Sequence, residues 1–297
     1  MKDPGRLITA MVTPFDNELK VDYAQAVKLA LACIRSGSDG VLLSGTTGES
    51  PTLTRAEEFK LYSEVKSAVG NRALIIAGTG SNSTAEAVEA TQGAEKVGVD
   101  ACLLVTPYYN KPSQDGLYQH FKTIAENTSL QCILYNVPAR TVVSLSSETV
   151  IKLSQIDNII GIKEASGNLE EIGKIINGAR KGFIVWSGND GDILPLMSIG
   201  SYGVISVASH LVGLQLKNMM NKYLAGEVEE AGVIHRHLIP LIKALFLVSN
   251  PVPVKYALNQ IGFRAGKPRL PLVEPDAKTA AMIMDTIKNY TIDLPLD

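Results

Sequence analysis

Residues 159–165 read Ile159-Ile160-Gly161-Ile162-Lys163-Glu164-Ala165. Ile159 to Ile162 is a short apolar run rich in β-branched residues, the pattern of a strand buried on both faces in a parallel sheet. The run ends on a lysine, a residue almost never fully buried unless it is paired. Burial disfavours the ammonium and draws its pKa from about 10.4 toward roughly 7–8, where an amine can attack at neutral pH. The plain alternative is a lysine that snorkels from the strand end to a carboxylate. This stretch alone leaves both open, and the surrounding sequence has to decide.

Similar apolar runs recur outward from this one: Leu7 to Val12, Gly40 to Leu43, Ala73 to Ala77, Ala101 to Val105, Cys132 to Tyr135, Phe183 to Trp186 and Gly203 to Val207. Between them lie segments of helical period, among them Tyr23 to Arg35, Arg55 to Val69, Thr84 to Val97 and Gly116 to Glu126. Asp22, Thr54 with Glu57, and Ser83 with Glu86 are start signals; Gly37, Gly70 and Gly98 are stop signals. Strands alternating with helices form parallel βαβ units. Eight such strands predict an α/β fold, a closed (β/α)₈ TIM barrel. An open doubly wound sheet is the alternative. It lacks its Gly-rich fingerprint after the first strand, since Gly78-Thr79-Gly80 is only a fragment of one. Beyond Leu211 the pattern is helical, around Leu214 to Leu224, Glu227 to Val248, Pro253 to Ile261 and Asp276 to Tyr290. The expected organisation is a barrel over residues 1–226 carrying the active site, and a small C-terminal helical domain over 227–297.

Composition narrows the function. The chain of 297 residues has a formal charge of −2, 45% hydrophobic and 20% charged residues, the profile of an ordinary globular protein. No basic patch interleaved with aromatics argues for nucleic acid, and no electrostatic case exists for an anionic membrane. Met1-Lys2-Asp3-Pro4-Gly5-Arg6 lacks the apolar core of a secretory signal, and Leu238 to Val248 is too short to span a bilayer, so a cytoplasmic protein is expected. Cys33, Cys102 and Cys132 have no metal-type spacing. His235 and His237 stand two apart in a helical stretch and point to different faces. The expectation is an enzyme without metal or cofactor.

In such a barrel the chemistry belongs at the C-terminal strand ends. There the sequence places Thr13-Pro14, Ser44-Gly45-Thr46-Thr47-Gly48-Glu49-Ser50, Gly78-Thr79-Gly80-Ser81-Asn82, Thr106-Pro107-Tyr108-Tyr109-Asn110-Lys111-Pro112, Tyr135-Asn136-Val137-Pro138-Ala139-Arg140, Lys163, Ser187-Gly188-Asn189-Asp190, and Ser206. Small hydroxyls and glycines leave room for a ligand and expose backbone N–H groups that can bind a small carboxylate. Each member also has an ordinary reading: a turn at Gly45 to Gly48, a core tyrosine at Tyr135, a surface ion pair at Arg140. Glu164, next after Lys163, points to the opposite face by strand alternation and is not expected to be the general base. The acidity of Asn189-Asp190 and Asp192 disfavours a phosphate. Without a metal, an aldolase-type reaction needs another electron sink, and a protonated imine on lysine supplies one.

These motifs, with Gly161-Ile162-Lys163-Glu164-Ala165, Asn250-Pro251-Val252-Pro253-Val254-Lys255 and Arg269-Leu270-Pro271-Leu272, follow in order along nearly the whole chain. In this the sequence resembles the dihydrodipicolinate synthase and N-acetylneuraminate lyase family of class I aldolases. Arg140 aligns it with the synthases of that family, since the sialic acid lyases have an apolar residue there. The resemblance implies a lyase that condenses pyruvate with L-aspartate 4-semialdehyde in lysine and diaminopimelate biosynthesis. Another pyruvate-dependent aldolase, acting on a keto-sugar acid, sialic acid or 4-hydroxy-2-oxoglutarate, is the alternative. It implies that Lys163 forms the imine and that Tyr135, Thr46 and Tyr109 relay protons, Tyr109 reaching in from a neighbouring subunit of a homotetramer built of tight dimers. Thr47 holds the pyruvate carboxylate, Arg140 that of the semialdehyde, and Ile205 and Gly188 line the pocket. Ser50, Pro51, Asn82, Glu86 and Tyr108 fall at the positions of an allosteric lysine site. Pro51, Arg55 and Glu58 depart from the lysine-sensitive type, so weak or absent inhibition is expected.

Overall fold

The computed structural model describes residues 4–296. Its strands are β1 (Leu7–Ala10), β2 (Gly40–Leu43), β3 (Leu74–Gly78), β4 (Ala101–Val105), β5 (Gln131–Asn136), β6 (Ile159–Glu164), β7 (Ile184–Ser187) and β8 (Gly203–Ser206). They form a closed barrel in chain order, β1 to β8. The helices are α1 (Tyr23–Arg35), α2 (Arg55–Val69), α3 (Thr84–Val97), α4 (Gln114–Glu126), α5 (Pro138–Thr141), α6 (Ser147–Leu153), α7 (Leu169–Gly178), α8 (Ile193–Ser198), α9 (Ser209–Leu224), α10 (Val228–Ala244), α11 (Val252–Gln260) and α12 (Ala277–Ile287). The TIM barrel with C-terminal helices is therefore the fold. The boundary expected at 226/227 falls in the turn between α9 and α10.

Strand limits shift from the apolar runs for identifiable reasons. The first run stops pairing after Met11, whose N–H still reaches Leu42 O at 2.9 Å. The next N–H, of Val12, donates instead to His210 Nε2 at 3.1 Å. β6 extends past its apolar run because Lys163 and Glu164 continue the ladder opposite Trp186 and Ser187. Helix starts follow their caps. Asp22 accepts from Gln25 N, and Thr54 with Glu57 forms the reciprocal capping box. Ser83 caps α3, but the Glu86 carboxylate turns away to accept from Ser81 Oγ at 2.8 Å, so no box closes there.

The chain divides into two compact units, Met1–Leu74 with Ser206–Asp297, and Ile75–Ile205. In the first, Asp39 takes the Arg6 and Leu7 N–H groups at 2.8 and 3.0 Å and pairs with Lys217 of α9. Thr9 bonds Ser38 and Ser209 at 2.7 and 2.9 Å, satisfying buried hydroxyls in the core. In the second, five successive parallel ladders run from β3 to β8. Gly161 is required there: a Cβ would lie 2.4 Å from Ile184 O and 2.7 Å from Trp186 Cζ3. The missing side chain makes room for the fully buried indole, which packs edge-on to Tyr202.

Candidate active site

Parallel pairing sets Lys163 of β6 opposite Tyr135 of β5 and Trp186 of β7, while Glu164 pairs with Asn136. Alternation puts Lys163 and Tyr135 on one face and Glu164 and Asn136 on the other. Lys163 is 5% exposed, and its Nζ stands 4.5 Å from the centroid of the Tyr135 ring. Nζ donates no hydrogen bond and forms no ion pair among the described residues. Burial lowers its pKa to about 8; the Asp190 carboxylate opposes that shift and the Arg140 guanidinium adds to it. At that value an appreciable fraction is free amine at neutral pH. Glu164 is raised by burial, with its hydrogen bonds opposing. Its oxygens accept from Ser166 N at 2.7 Å and Asn136 Nδ2 at 3.0 and 3.2 Å, which fixes it as a structural acceptor.

Arg140 sits on the one-turn helix α5 and is exposed. It forms no hydrogen bond through its guanidinium and no ion pair among the described residues, so the fate usual for a loop arginine does not apply. Its charge is nonetheless felt at Lys163. Gly188 follows β7, and a Cβ there would come within 2.7 Å of Ala165 Cβ. Its N–H donates to Glu164 O at 2.7 Å, so Gly188 can offer a ligand surface but no hydrogen bond through that group. Asp190 is buried just beyond it, and Ile205 lies buried in β8.

Tyr109 is 89% exposed and has φ +75°. A bulky side chain in the left-handed region is a strained arrangement that its surroundings must hold. They do so by bonds: Asn82 Nδ2 donates to Tyr108 O at 3.1 Å, Asn110 Nδ2 to Asn82 O at 2.8 Å, and Asn110 N to Tyr108 O at 3.0 Å. Asn82 and Tyr108 are thereby joined, whereas Glu86 is engaged with Ser81.

Thr46 and Thr47 lie in the other unit, in the turn after β2. The turn is closed by the N–H groups of Gly48, Glu49 and Ser50, donating to Gly45 O, Thr46 O and Gly45 O. The amides of Thr46 and Thr47 take no part in that closure. Gly48 O accepts from Thr13 Oγ1 at 2.7 Å, and Thr47 Oγ1 accepts from Asn250 Nδ2 at 2.8 Å. Glu49, at φ +57°, accepts from Lys255 Nζ at 2.8 Å and from Arg269 N at 2.9 Å. Lys255 is only 1% exposed. Ser50 and Pro51 begin a short 3₁₀ turn just beyond. Glu58 is buried, bonded to Arg55 at 2.7 Å, and burial pushes its pKa up to about 7. It therefore does not present a bare carboxylate.

The chain matches the dihydrodipicolinate synthetase family over residues 3–290. It is 64% identical over 296 residues, the full length of both chains, to the 4-hydroxy-tetrahydrodipicolinate synthase of Dehalococcoides mccartyi strain CBDB1. The chain belongs to this family. Among solved family structures, dihydrodipicolinate synthase from Bacillus anthracis superposes with a TM-score of 0.96 at 44% identity, covering 98% of this chain and 99% of that one. A chloride-inhibited dihydrodipicolinate synthase from Acinetobacter baumannii, solved in complex with pyruvate, gives 0.93 at 39% identity, with 96% and 98% covered.

Within this dihydrodipicolinate synthetase family member, sequence reasoning passed over three contributors. Asp190 was read only as a bar to phosphate, while its charge acts on Lys163. Asn250 and Lys255 were seen as matching residues without a part to play. Their partners, Thr47 and Glu49, lie more than 200 residues away along the chain. The available signal was a lysine inside the apolar stretch Val252 to Leu258.

Proposed function

We propose that this chain catalyses the reaction of a 4-hydroxy-tetrahydrodipicolinate synthase, condensing pyruvate with L-aspartate 4-semialdehyde through an imine on Lys163. The observation that carries the mechanism is a buried, hydrogen-bond-free lysine with its pKa lowered to about 8, beside a tyrosine on the next strand. Lys163 Nζ attacks the ketone carbon of pyruvate, water leaves, and the cationic imine draws electrons from the methyl carbon. Loss of a methyl proton gives the enamine, whose carbon attacks the aldehyde. The amine of the semialdehyde then closes onto the imine carbon and expels Lys163.

Tyr135 carries protons to and from the departing oxygen, with Thr46 and Tyr109 completing the relay. The Thr46 and Thr47 amides and the Thr47 hydroxyl hold the pyruvate carboxylate, and Ile205 and Gly188 line the pocket. The exposure and strained backbone of Tyr109 support its delivery to a neighbouring subunit, which fits a homotetramer built as a dimer of dimers. The barrel over 1–226 houses this site and 227–297 forms the accessory helical domain. The enzyme works in the cytoplasm without metal or cofactor; no helix among the described residues is long and apolar enough to cross a membrane.

The unpaired Arg140 favours the synthase over the other pyruvate aldolases, because an exposed guanidinium suits the carboxylate of the second substrate. Turnover of pyruvate with the semialdehyde, followed by product absorbance, tests the activity. Arg140→Ala is expected to lose most of that turnover yet still form the pyruvate imine. Equal loss of both would remove the assigned role. Ser50, Pro51, Asn82, Glu86 and Tyr108 form the candidate lysine site. Glu58, tied to Arg55, supports weak inhibition or none. Strong inhibition at cellular lysine concentrations would overturn that reading.

A further inference from the structure

Asn250 opens the segment Asn250-Pro251-Val252-Pro253-Val254-Lys255, to which the reaction described above assigns no part. Its side chain is 6% exposed. Nδ2 donates to Thr47 Oγ1 at 2.8 Å, and the buried Oδ1 has no hydrogen-bond partner among the described residues. A hydroxyl that accepts from an amide keeps its own hydrogen for another acceptor. Five residues on, Lys255 Nζ donates to Glu49 Oε1 at 2.8 Å, so one segment grips the same turn at Thr47 and at Glu49. Thr13 Oγ1 holds Gly48 O between them.

We propose that Asn250 is a positioning residue that sets the direction of the Thr47 hydroxyl, making it a donor toward the carboxylate of the keto acid. The proposal rests on the reading that Lys163 forms an imine with pyruvate while Thr47 binds its carboxylate. The polarity of one hydrogen bond is what matters. The amide can only donate through Nδ2, and the hydroxyl must then donate elsewhere. An aspartate of the same shape accepts the Thr47 hydrogen itself and adds a negative charge beside an incoming carboxylate.

The test is borohydride trapping on the full-length protein at graded concentrations of pyruvate and of acetone, a ketone with no carboxylate. In Asn250→Asp the pyruvate concentration for half-maximal trapping is expected to rise about tenfold or more, the scale of a lost hydrogen bond to a charged group. The acetone concentration should move less than twofold. In turnover, KM for pyruvate should rise while kcat and KM for the semialdehyde change less than threefold. Asn250→Ser and Asn250→Ala keep the question open to refutation if the aspartate variant does not fold. Serine, one bond shorter, no longer reaches Thr47 and its hydroxyl fixes no direction, and alanine can neither donate nor accept, so both should raise the pyruvate concentration by more than about threefold while the acetone curve moves less than twofold.

Pyruvate and acetone curves that shift together, or no shift in any variant, would overturn the role of Asn250. Failure of the wild type to trap pyruvate would strike at the imine reading instead, so the two failures are distinguishable.

Discussion

Lys163 and Lys255 are both buried strand-end or helix lysines whose ammonium is destabilised, each to a pKa of about 8. Their surroundings differ in one respect. Lys255 Nζ donates to Glu49 Oε1 at 2.8 Å, Thr13 O at 3.0 Å and Lys267 O at 3.2 Å, and stands 4.0 Å from the Phe15 ring centroid. All three ammonium hydrogens are engaged, and Glu49 opposes the lowering that burial imposes. Lys163 Nζ makes no such bond among the described residues; the charges that act on it are those of Asp190 and Arg140. A depressed pKa alone therefore does not mark a nucleophile. The nitrogen must also be able to release its proton and turn a lone pair outward, and only Lys163 can do so without breaking a network.

The comparison breaks first at the nucleophile. Lys163→Ala should lower turnover by on the order of 10⁴-fold or more, the scale of removing a covalent catalyst. Its loss of stability should stay below that of Lys255→Met, because removing the desolvated amine strands no ion-pair partner and alanine forfeits only the packing of the stem. Lys255→Met should do the reverse, leaving Glu49 buried without its ion-pair partner and held by the Arg269 N–H. A stability loss of about 3–5 kcal/mol is expected from equilibrium denaturation. A loss below about 1 kcal/mol would mean that Lys255 is not the anchor described.

The pH dependence sharpens it. Below about 8 Lys163 is mostly ammonium, so the rate of imine formation at low pyruvate should climb about tenfold per pH unit and level off above that value. Stability should respond in the next window up, above about 8. The folded value lies below the ordinary 10.5, so the unfolded chain binds more protons between about 8 and 10.5. The penalty for keeping Lys163 buried should therefore shrink as pH rises through that range, and Lys163→Met should lose its relative advantage there.

The smallest expected effect concerns His210, fully buried with Nε2 accepting from Val12 N and Nδ1 bonded to Val207 O. Burial lowers its pKa from 6.5 to about 4, so the unfolded state binds more protons between those values. Stability held above 6.5 should be lost as pH falls toward 4. His210→Gln should show a flatter decline over that window in urea titrations.

Most of the fold was legible because its signals are local. The eight apolar runs became the eight strands, and α1, α2 and α3 begin and end where their caps and periodicity put them. The short helices α5 to α8 offer few turns from which to read a period. Of the site, Lys163 and Tyr135 were visible as polar residues closing apolar runs. The brace of Asn250 and Lys255 was not, because it depends on contacts across more than 200 residues of chain. Arg140 was ambiguous in sequence, since whether a loop arginine finds a partner is decided only in three dimensions.

The most direct test of the difference between the two lysines is borohydride reduction of the folded protein with excess pyruvate, followed by peptide mass spectrometry. The account predicts a pyruvate-derived adduct on Lys163 and an unmodified Lys255. An adduct on Lys255 or another lysine, or none at all, would contradict it.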